Sequence, residues 1–293
     1  MGGSRDGQND RMRGFVDTVE SAAPLDAPGK KIGKTVRGAL KPGAVKDAVS
    51  GTWLGHAIHP MLTDVVIGSF LSATLLDLLG GDDDGTAAER LIGVGIAAYA
   101  PTALTGVNDW ADSEPVDDAV RRVGLVHATS NSLALTLYGS SLAARRRGRP
   151  TRGKLFGAAG AAALMVGGYL GGHLSFTKGV GPNQTVYDPG PSDWTGAIAS
   201  SELAADELKT VVVEATPVLL VRHRSHVHAL HDRCSHRGCS LGETGELDGE
   251  TVQCGCHGSR FSLRDGSVER GPATAPQPSY EVREREGEIE IKL

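Results

Sequence analysis

The chain has 293 residues, enough for about two domains, and its 40% hydrophobic and 22% charged residues exclude a wholly disordered protein. Its net charge of -5, without a long basic stripe flanked by aromatic residues, gives no electrostatic footprint for nucleic acid. The four cysteines all lie within residues 234–256, so they indicate one local site rather than the disulfide framework of a secreted scaffold.

Residues 1–50 predict a polar tail. Lysines alternate there with apolar side chains, which would also suit a segment lying on a membrane surface. Gly33, Gly38, Pro42 and Gly43 interrupt any helix, so we expect a flexible, solvated chain.

Four apolar segments follow within residues 51–177. The last three contain no Asp, Glu, Lys or Arg. At about 1.5 Å per residue, all four approach the roughly 30 Å thickness of membrane hydrocarbon. A soluble bundle would need polar outer faces, which the third and fourth segments lack. The pattern predicts an all-α four-helix transmembrane bundle with helices at residues 60–79, 91–107, 123–144 and 155–177.

Glycines of the fourth segment recur at a spacing that brings helices close together in lipid. Gly167 and Gly171 are four residues apart, as are Gly168 and Gly172. We therefore expect the fourth helix to touch a neighbour along these glycines.

Residues 178–196 are rich in glycine and proline and predict a hinge. Beyond them the apolar pattern changes from helical to alternating, with turns rich in Gly, Asp and Pro. Residues 197–293 therefore predict a small all-β domain. The expected strands include residues 210–213, 218–221, 227–230, 251–253 and 289–291.

Two short motifs in this β domain carry the chemistry. They are Cys234-Ser-His236-Arg-Gly-Cys239 and Cys254-Gly-Cys256-His257-Gly-Ser259. If two loops face each other, they offer the two thiolates and two imidazoles of a two-iron, two-sulfide cluster with His₂ on one iron and Cys₂ on the other. A tetrahedral zinc site uses the same ligand types. Zinc would not explain the second cysteine in each loop.

On these motifs, residues 197–293 resemble a Rieske iron–sulfur domain, which implies a [2Fe-2S] cluster. The implied ligands are Cys234 and Cys254 on the iron that stays ferric, and His236 and His257 on the iron that accepts the electron. The additional pair, Cys239 and Cys256, resembles the cytochrome bc and plant-type bf branch, where it forms a disulfide between the loops. Soluble oxygenase ferredoxins usually lack that pair. Residues 271–273 are similar to the family's proline loop.

Other positions bear on the reduction potential that the resemblance implies. Ser259 is placed to donate a hydrogen bond to a cluster sulfide, but Phe261 stands where high-potential members have tyrosine. Arg237 and Gly255 also replace the residues usual in bc-type proteins. Fewer hydrogen bonds to sulfur predict a lower potential than that of a typical bc-type centre.

Four further histidines lie near the first motif. Their spacing on and around a strand favours a solvated face and turn over an additional ligand role. They are His223, His226, His228 and His231.

Polar side chains also gather near one end of the apolar segments if the helices alternate in direction. They include His56, His59, Asp64, His127 and His173. Polar groups in lipid need partners, so this set suggests a site for haem b, a quinone or a second metal. Helix capping and mutual hydrogen bonds would explain the same residues without a ligand. The run Gly55-His56-Ala-Ile-His59-Pro60 resembles an uncharacterised bacterial four-helix membrane family, which implies topology rather than chemistry.

Basic residues near the helix ends suggest an orientation. The cluster-bearing side has Lys41, Lys46, Arg121, Arg122 and Lys178, and the other side has Arg90, Arg145, Arg146, Arg147, Arg149, Arg152 and Lys154. Because positive residues favour the cytoplasm, the Rieske domain is expected on the outer face of the cell membrane. A lasting disulfide is consistent with that side.

Together these patterns predict a multi-pass protein in contact with membrane lipid, whose Rieske domain passes single electrons between a membrane donor, quinol or haem, and a redox partner protein. It is expected to be an electron carrier or an oxidoreductase subunit rather than an enzyme with its own substrate. One alternative is a quinol-oxidising or related reductase whose haem or quinone site lies in the helical half. The other is a tethered ferredoxin-like component of an oxygenase.

Overall fold

The computed structural model describes residues 5–81 and 84–293, with side chains described from residue 12 onward. The chain forms a helical unit, which runs to Ala39 and again over Ile58–Val180, and a second unit, Leu40–Ala57 with Gly181–Leu293. The boundary at Val180 lies inside the expected hinge. From Gly181 onward the chain belongs to the second unit, where the N–H of Gln184 donates to the carbonyl of Ser235 at 3.1 Å.

The segment expected to be a flexible tail contains three helices. They are α1 (Arg5–Glu20), α2 (Asp26–Ala39) and α3 (Ala44–Ser50). Residues 1–4 of that segment lie outside the described residues. Of the glycines counted against helix formation, Gly33 serves close packing instead, because a methyl group there would clash with the carboxylate of Glu114, whereas Gly38 and Gly43 have open space.

Ion pairs join α1 and α2 to the rest of the helical unit. Arg122 binds Asp26, with Nη2 and Oδ2 2.6 Å apart. Arg121, which is buried, pairs with Glu114 at 2.7 Å, and Arg37 of α2 reaches the same carboxylate at 2.8 Å. Buried charges require such partners, and the partners come from distant parts of the sequence.

Four long helices form the body of the helical unit. They are α4 (Ile58–Leu79), α5 (Gly85–Ser113), α6 (Asp118–Arg146) and α7 (Pro150–Gly172). Short connections link them, so successive helices run in opposite directions. Asp117 caps α6 by accepting from the N–H of Ala119 at 2.7 Å. In the core, the rings of Phe70 and Tyr138 stack with their centroids 4.1 Å apart.

Three helices of the described chain are long and apolar enough to cross a membrane: Ile58–Leu79, Gly85–Ser113 and Pro150–Thr177. The sequence suggested a fourth crossing at residues 123–144. The helix is present there, but Ser, Thr, Asn and His side chains interrupt its apolar surface.

The Gly181–Leu293 part of the second unit contains ten strands and a short helix. In chain order these are β1 (Thr195–Ala199), β2 (Leu208–Val213), β3 (Thr216–His223), β4 (His226–His231), α8 (Leu241–Thr244), β5 (Glu246–Asp248), β6 (Thr251–Gln253), β7 (Arg260–Ser262), β8 (Val268–Arg270), β9 (Ser279–Arg285) and β10 (Glu288–Lys292). The strands form a six-stranded sheet, β1-β10-β9-β4-β3-β2, and a four-stranded sheet, β5-β6-β7-β8, and the pairings are antiparallel.

Strand β3 separates two apolar cores. Leu219 and Val221 face the core shared with the four-stranded sheet, whereas Val218 and Leu220 face the core on the other side. Side chains alternate across a strand, so a continuous apolar run is what a strand buried on both faces requires. The first of these cores also contains Cys234 and Cys254.

Candidate metal centre

Two loops of the second unit have the same backbone pattern. The first loop (234–239) follows β4, and its N–H at Cys234 donates to the carbonyl of Cys239 at 2.8 Å. The second loop (254–259) joins β6 to β7 and repeats this bond between Cys254 and Ser259 at 2.8 Å. The fifth residue of each loop has a positive φ that favours glycine, +76° in one and +80° in the other. These glycines are Gly238 and Gly258.

The two loops bring the four cysteines together in two different states. Cys239 and Cys256 form a disulfide, which confirms the pairing that the resemblance implied. Cys234 and Cys254 are buried free thiols. The Sγ atoms of Cys239, Cys254 and Cys256 all lie within 4.8 Å of one another. The thiols available to a metal are therefore those predicted as ligands.

The two predicted histidine ligands stand beside each other. The ring centroids of His236 and His257 are 5.1 Å apart, and the rings are nearly perpendicular. Two thiols and two imidazoles from opposed loops are the donor set of a mixed-ligand [2Fe-2S] cluster, so the residues fit that group.

Electrostatics favour a thiolate in this site. The hydrogen bond with Cys234 lowers the pKa of Cys254 to about 7, against the effect of burial and with help from the N–H groups of Cys256 and His257. The same hydrogen bond, together with burial, raises the pKa of the Cys234 thiol. Because a thiolate is the form that binds metal, backbone donors aimed at Cys254 prepare it for ligation.

Gln277 fixes the first loop from the loop that follows β8, which we define as the third loop (271–278). Its Nε2 donates to the carbonyls of His231 and Arg233 at 2.7 and 2.8 Å, and its Oε1 accepts from the N–H of Ser235 at 2.7 Å. Ser235 also donates its hydroxyl hydrogen to the carbonyl of Ala275. Gln277 is not recognisable from the sequence, since a single glutamine beyond the metal motifs gives no signal.

Arg270 of β8 holds the second loop. Its Nη2 donates to the carbonyl of Gly258 at 2.8 Å and to Oε1 of Gln253 at 2.7 Å. This contact fixes the chain directly after His257. Arg270 is not recognisable from the sequence either, because its partner in this loop is a backbone carbonyl.

Ser259 and Phe261, two of the positions expected to affect the reduction potential, are fully buried. The hydroxyl of Ser259 accepts from the N–H of Ala273 at 2.9 Å, which ties the second loop to the third. Accepting this bond leaves the hydroxyl hydrogen for donation, as the tuning role requires. Phe261 lies in the same apolar core as Cys254.

The sequence suggested that all four neighbouring histidines are solvated, but the structure shows that they are not. His231 is fully buried: its Nδ1 accepts from the N–H of Arg233 at 3.0 Å, and its Nε2 faces a carboxylate oxygen of Asp188 at 3.3 Å. His223 pairs with Asp206 at 2.6 Å. His231 is buried because the last residues of β4 lie between the two apolar cores, with Leu230 in one and Ala229 in the other.

Two of the polar residues predicted for the helical half bind backbone carbonyls of neighbouring helices. His59 of α4 donates from Nδ1 to the carbonyl of Thr102 at 3.0 Å, and His127 of α6 donates from Nδ1 to the carbonyl of Gly167 at 2.8 Å.

The other three predicted polar residues have different surroundings. His173 pairs with Glu20 of α1, with Nε2 and Oε1 2.8 Å apart. Asp64 is exposed on α4. His56 belongs to the second unit, where its ring is exposed and contacts the carbonyl of Ala57.

Two buried thiols and two imidazoles on paired loops of a β scaffold define an iron–sulfur protein of the mixed cysteine and histidine class. Residues 193–281 match the Rieske [2Fe-2S] domain, and residues 55–184 match DUF2231, a family of predicted membrane proteins. The chain belongs to the Rieske family through its C-terminal part and carries a DUF2231 domain before it.

Curated relatives of the C-terminal part are ferredoxins. Ferredoxin CarAc of Metapseudomonas resinovorans is 32% identical over 99 residues, which are 33% of this chain and 92% of that protein. The biphenyl dioxygenase ferredoxin subunit of Pseudomonas sp. (strain KKS102) is 32% identical over 90 residues, 31% of this chain and 83% of that protein. A solved structure, the ferredoxin of carbazole 1,9a-dioxygenase from Nocardioides aromaticivorans IC177, is 25% identical, covers 34% of this chain and 98% of its own, and gives a TM-score of 0.33.

Proposed function

We propose that the chain is a membrane-anchored electron carrier whose cluster ligands are Cys234, His236, Cys254 and His257. The observation that carries this proposal is the separation of the cysteines into one disulfide and two buried free thiols beside two imidazoles. The Rieske family membership and the ferredoxin relatives support the same assignment.

The protein side chains determine what the site can do. A [2Fe-2S] cluster held there would accept and release one electron at a time. Neutral imidazoles reduce the negative charge around the site relative to four thiolates, which favours a higher reduction potential. Gln277 and Arg270 hold the loops in place, so little reorganisation accompanies a change of charge.

Electron paramagnetic resonance of dithionite-reduced membranes tests the proposal. The expected result is the spectrum of a mixed-ligand [2Fe-2S] centre, lost in His257→Ala. A purified chain that binds one zinc ion and shows no reduced signal would overturn it.

The reduction potential of the carrier would indicate which class of partner it serves. The matched ferredoxins are named as dioxygenase subunits, and by that analogy we propose a redox partner protein, with an oxygenase as one class of acceptor. A redox titration separates the roles. A value near the lower end of the range of roughly -150 to +300 mV for Rieske centres favours the ferredoxin role, and one near the upper end favours a quinol chain.

The pair His59 and His127 favours a second candidate, a donor site in the helical unit. Each Nδ1 donates to a backbone carbonyl of a neighbouring helix. The lone pair of Nε2 on His59 is thereby left to act as an iron ligand or to accept a quinol proton. Nε2 of His127 accepts from Nδ2 of Asn131 at 3.2 Å, so a ligand role for His127 would require displacement of that amide. Glycines flank both rings: a methyl group would lie 2.6 Å from His59 if placed at Gly106 and 3.0 Å from His127 if placed at Gly171. These residues would supply the quinol or haem site of a membrane donor.

Absorbance spectra of purified chain test this second candidate. A haem b bound by both histidines should give a Soret band that is lost in His59→Ala and in His127→Ala. A quinol site should instead give quinol-dependent reduction of the centre that the same variants slow. If the purified chain shows neither a Soret band nor quinol-dependent reduction, the donor site is excluded and the carrier role is unaffected.

The charge of the described side chains supports an outer position for the Rieske domain. Of the five cations predicted for the cluster-bearing side, Arg121, Arg122 and Lys178 are paired with carboxylates, Lys46 is buried and Lys41 is exposed. On the opposite side, exposed cations dominate: Arg90, Arg146, Arg147, Arg149, Arg152 and Lys154. We therefore propose a cytoplasmic location for the loop between α6 and α7.

A further inference from the structure

Three histidines lie on one face of the hairpin that β3 and β4 form. His223, the last residue of β3, is directly opposite His226, the first residue of β4. His228 follows His226 by two residues, so it projects from the same side of the strand. Val221 and Leu230 continue this face, and both lie in the core shared with the four-stranded sheet. The three imidazoles therefore project on the side of that sheet.

A two-residue turn holds the first two histidines opposite each other. Arg224 and Ser225 form the turn with positive φ values of +47° and +68°, as a tight hairpin turn requires. Side chains directly opposite in an antiparallel pair have Cβ atoms about 4.5–5.5 Å apart. Two imidazoles at that separation can reach one metal ion, since each bond from zinc to nitrogen spans about 2.0–2.1 Å.

His223 is already oriented as a metal ligand. Its Nδ1 lies 2.6 Å from Oδ1 of Asp206. A carboxylate in this position accepts the Nδ1 hydrogen and leaves the lone pair of Nε2 for a metal, which is how ligating histidines are usually held. Within the part of the chain that the structure describes, this Nε2 is buried and has no hydrogen-bond partner.

The carboxylate of Glu250 faces this nitrogen from the turn between β5 and β6. Its Oε1 is 3.9 Å from Nε2 of His223, which is too long for a hydrogen bond. Two ligand atoms of one tetrahedral zinc ion are about 3.3 Å apart, so a metal fits between them after a small adjustment. The carbonyl of Glu250 accepts from the N–H of Leu263 at 2.9 Å, which fixes the residue in this place.

We propose that this hairpin face is a second metal site, which takes Zn²⁺ through the imidazoles of His223, His226 and His228 and the carboxylate of Glu250. Three imidazoles and one carboxylate are donors that zinc accepts in tetrahedral geometry. The hairpin turn and the first loop lie at opposite ends of β4, so this site is separate from the iron–sulfur centre. It does not depend on the proposed electron-carrier role.

Binding of zinc requires one ring to move. Among the described residues, only cysteines of the metal centre offer three donor atoms within 4.8 Å of one another. The exposed His226 ring, whose Nδ1 contacts the carbonyl of Arg224 at 3.2 Å, is the one able to swing inward. Burial lowers the pKa of His228, which favours the neutral imidazole that binds metal.

Titration of Zn²⁺ into the purified full chain in detergent, followed with a competing zinc indicator dye, tests the site. His226→Gln removes an exposed ligand without disturbing the core, so it should weaken zinc binding by about tenfold or more. The matched control His56→Gln removes an exposed histidine outside the hairpin and should leave the affinity unchanged. Zinc bound at the cysteine loops would be insensitive to both variants.

Two further variants should change the affinity in opposite directions. Asp206→Asn suits the positive φ of +59° at this position but removes the charge behind His223, so binding should weaken by about tenfold. Arg224 lies 2.6 Å from Oε1 of Glu250 and competes with a metal for it. Arg224→Asn suits the turn and removes the competing cation, so binding should tighten.

Difference spectra with Co²⁺ as a second probe identify the ligand type. Nitrogen and oxygen ligands give weak visible bands, whereas thiolates add intense charge-transfer bands in the near ultraviolet. We expect bands of the first kind, lost in His226→Gln. An unchanged zinc affinity in His226→Gln, or cobalt bands of the thiolate kind alone, would overturn the inference. The reduced paramagnetic signal should be the same in His226→Gln and the unsubstituted chain, which shows that the variant is folded and keeps this test separate from that of the proposed function.

Discussion

At the scale of single residues, the free thiols and the disulfide cysteines should respond differently to substitution. Cys254→Ser removes a buried donor that backbone N–H groups stabilise as thiolate, so it should abolish the paramagnetic signal. Cys239→Ser breaks the disulfide but leaves both free thiols, so the signal should persist with a lower thermal stability. Paramagnetic resonance with thermal unfolding measures both. Equal loss of signal in the two variants would contradict the ligand assignment.

Ser259 should influence the potential without deciding whether the centre assembles. Ser259→Ala removes the hydroxyl that accepts from the N–H of Ala273 and that the Rieske resemblance assigns as a donor to a cluster sulfide. One such hydrogen bond contributes about 1 kcal/mol, so the midpoint potential should fall by some tens of millivolts. A redox titration measures the shift, with exposed Ser267→Ala as control. A higher potential in Ser259→Ala would exclude this tuning role.

The predicted metal ligands could be found from the sequence, because each motif contains its ligand residues at a short, characteristic spacing. The supporting residues were not predictable in the same way. Gln277 and Arg270 act on backbone carbonyls that the fold brings near them. The burial of His231 was also missed, since its partner Asp188 lies in the segment predicted to be a hinge.

At the scale of elements, one face of α7 should be sensitive to added methyl groups and the adjoining face should not. A methyl group at Gly167 would lie 2.3 Å from Oδ1 of Asn131 on α6, whereas Gly168 has open space. Gly167→Ala should therefore destabilise the helical unit by about 1–3 kcal/mol, as overpacking does. Gly168→Ala should be neutral or slightly stabilising, because alanine favours helix.

Thermal unfolding of the purified chain in detergent compares these two variants. Equal midpoints for Gly167→Ala and Gly168→Ala would show that α6 and α7 do not pack through this face. From the sequence alone, the pair Gly167 and Gly171 and the pair Gly168 and Gly172 were equally suited to helix contact. The packing against α6 distinguishes them.

The elements themselves were predicted well where the apolar pattern is strong. The long helices and the expected strands follow from periodicity, which is a local property. The helices before residue 50 were missed because their stability comes from partners elsewhere in the chain, such as Glu114 for Arg37 and Arg122 for Asp26. Propensity counted Gly33 of α2 as a helix breaker, whereas in the structure Gly33 allows Glu114 to approach.

At the scale of the whole molecule, the side of the membrane that each region faces can be measured with single introduced cysteines. Ser225 lies exposed in the turn between β3 and β4, and Arg149 lies exposed before α7. In intact cells, a membrane-impermeant maleimide should label Ser225→Cys, because the Rieske domain is proposed to face outward. Arg149→Cys should be labelled only after the membrane is permeabilised.

The native cysteines do not obscure this measurement, since two form a disulfide and two are buried. The unsubstituted chain supplies the background, and a maleimide that crosses membranes should label both variants equally. Labelling of Arg149→Cys but not Ser225→Cys in intact cells would reverse the orientation. It would place the centre in the cytoplasm, where thiols are kept reduced, and a lasting disulfide between Cys239 and Cys256 would then require protection by the fold itself.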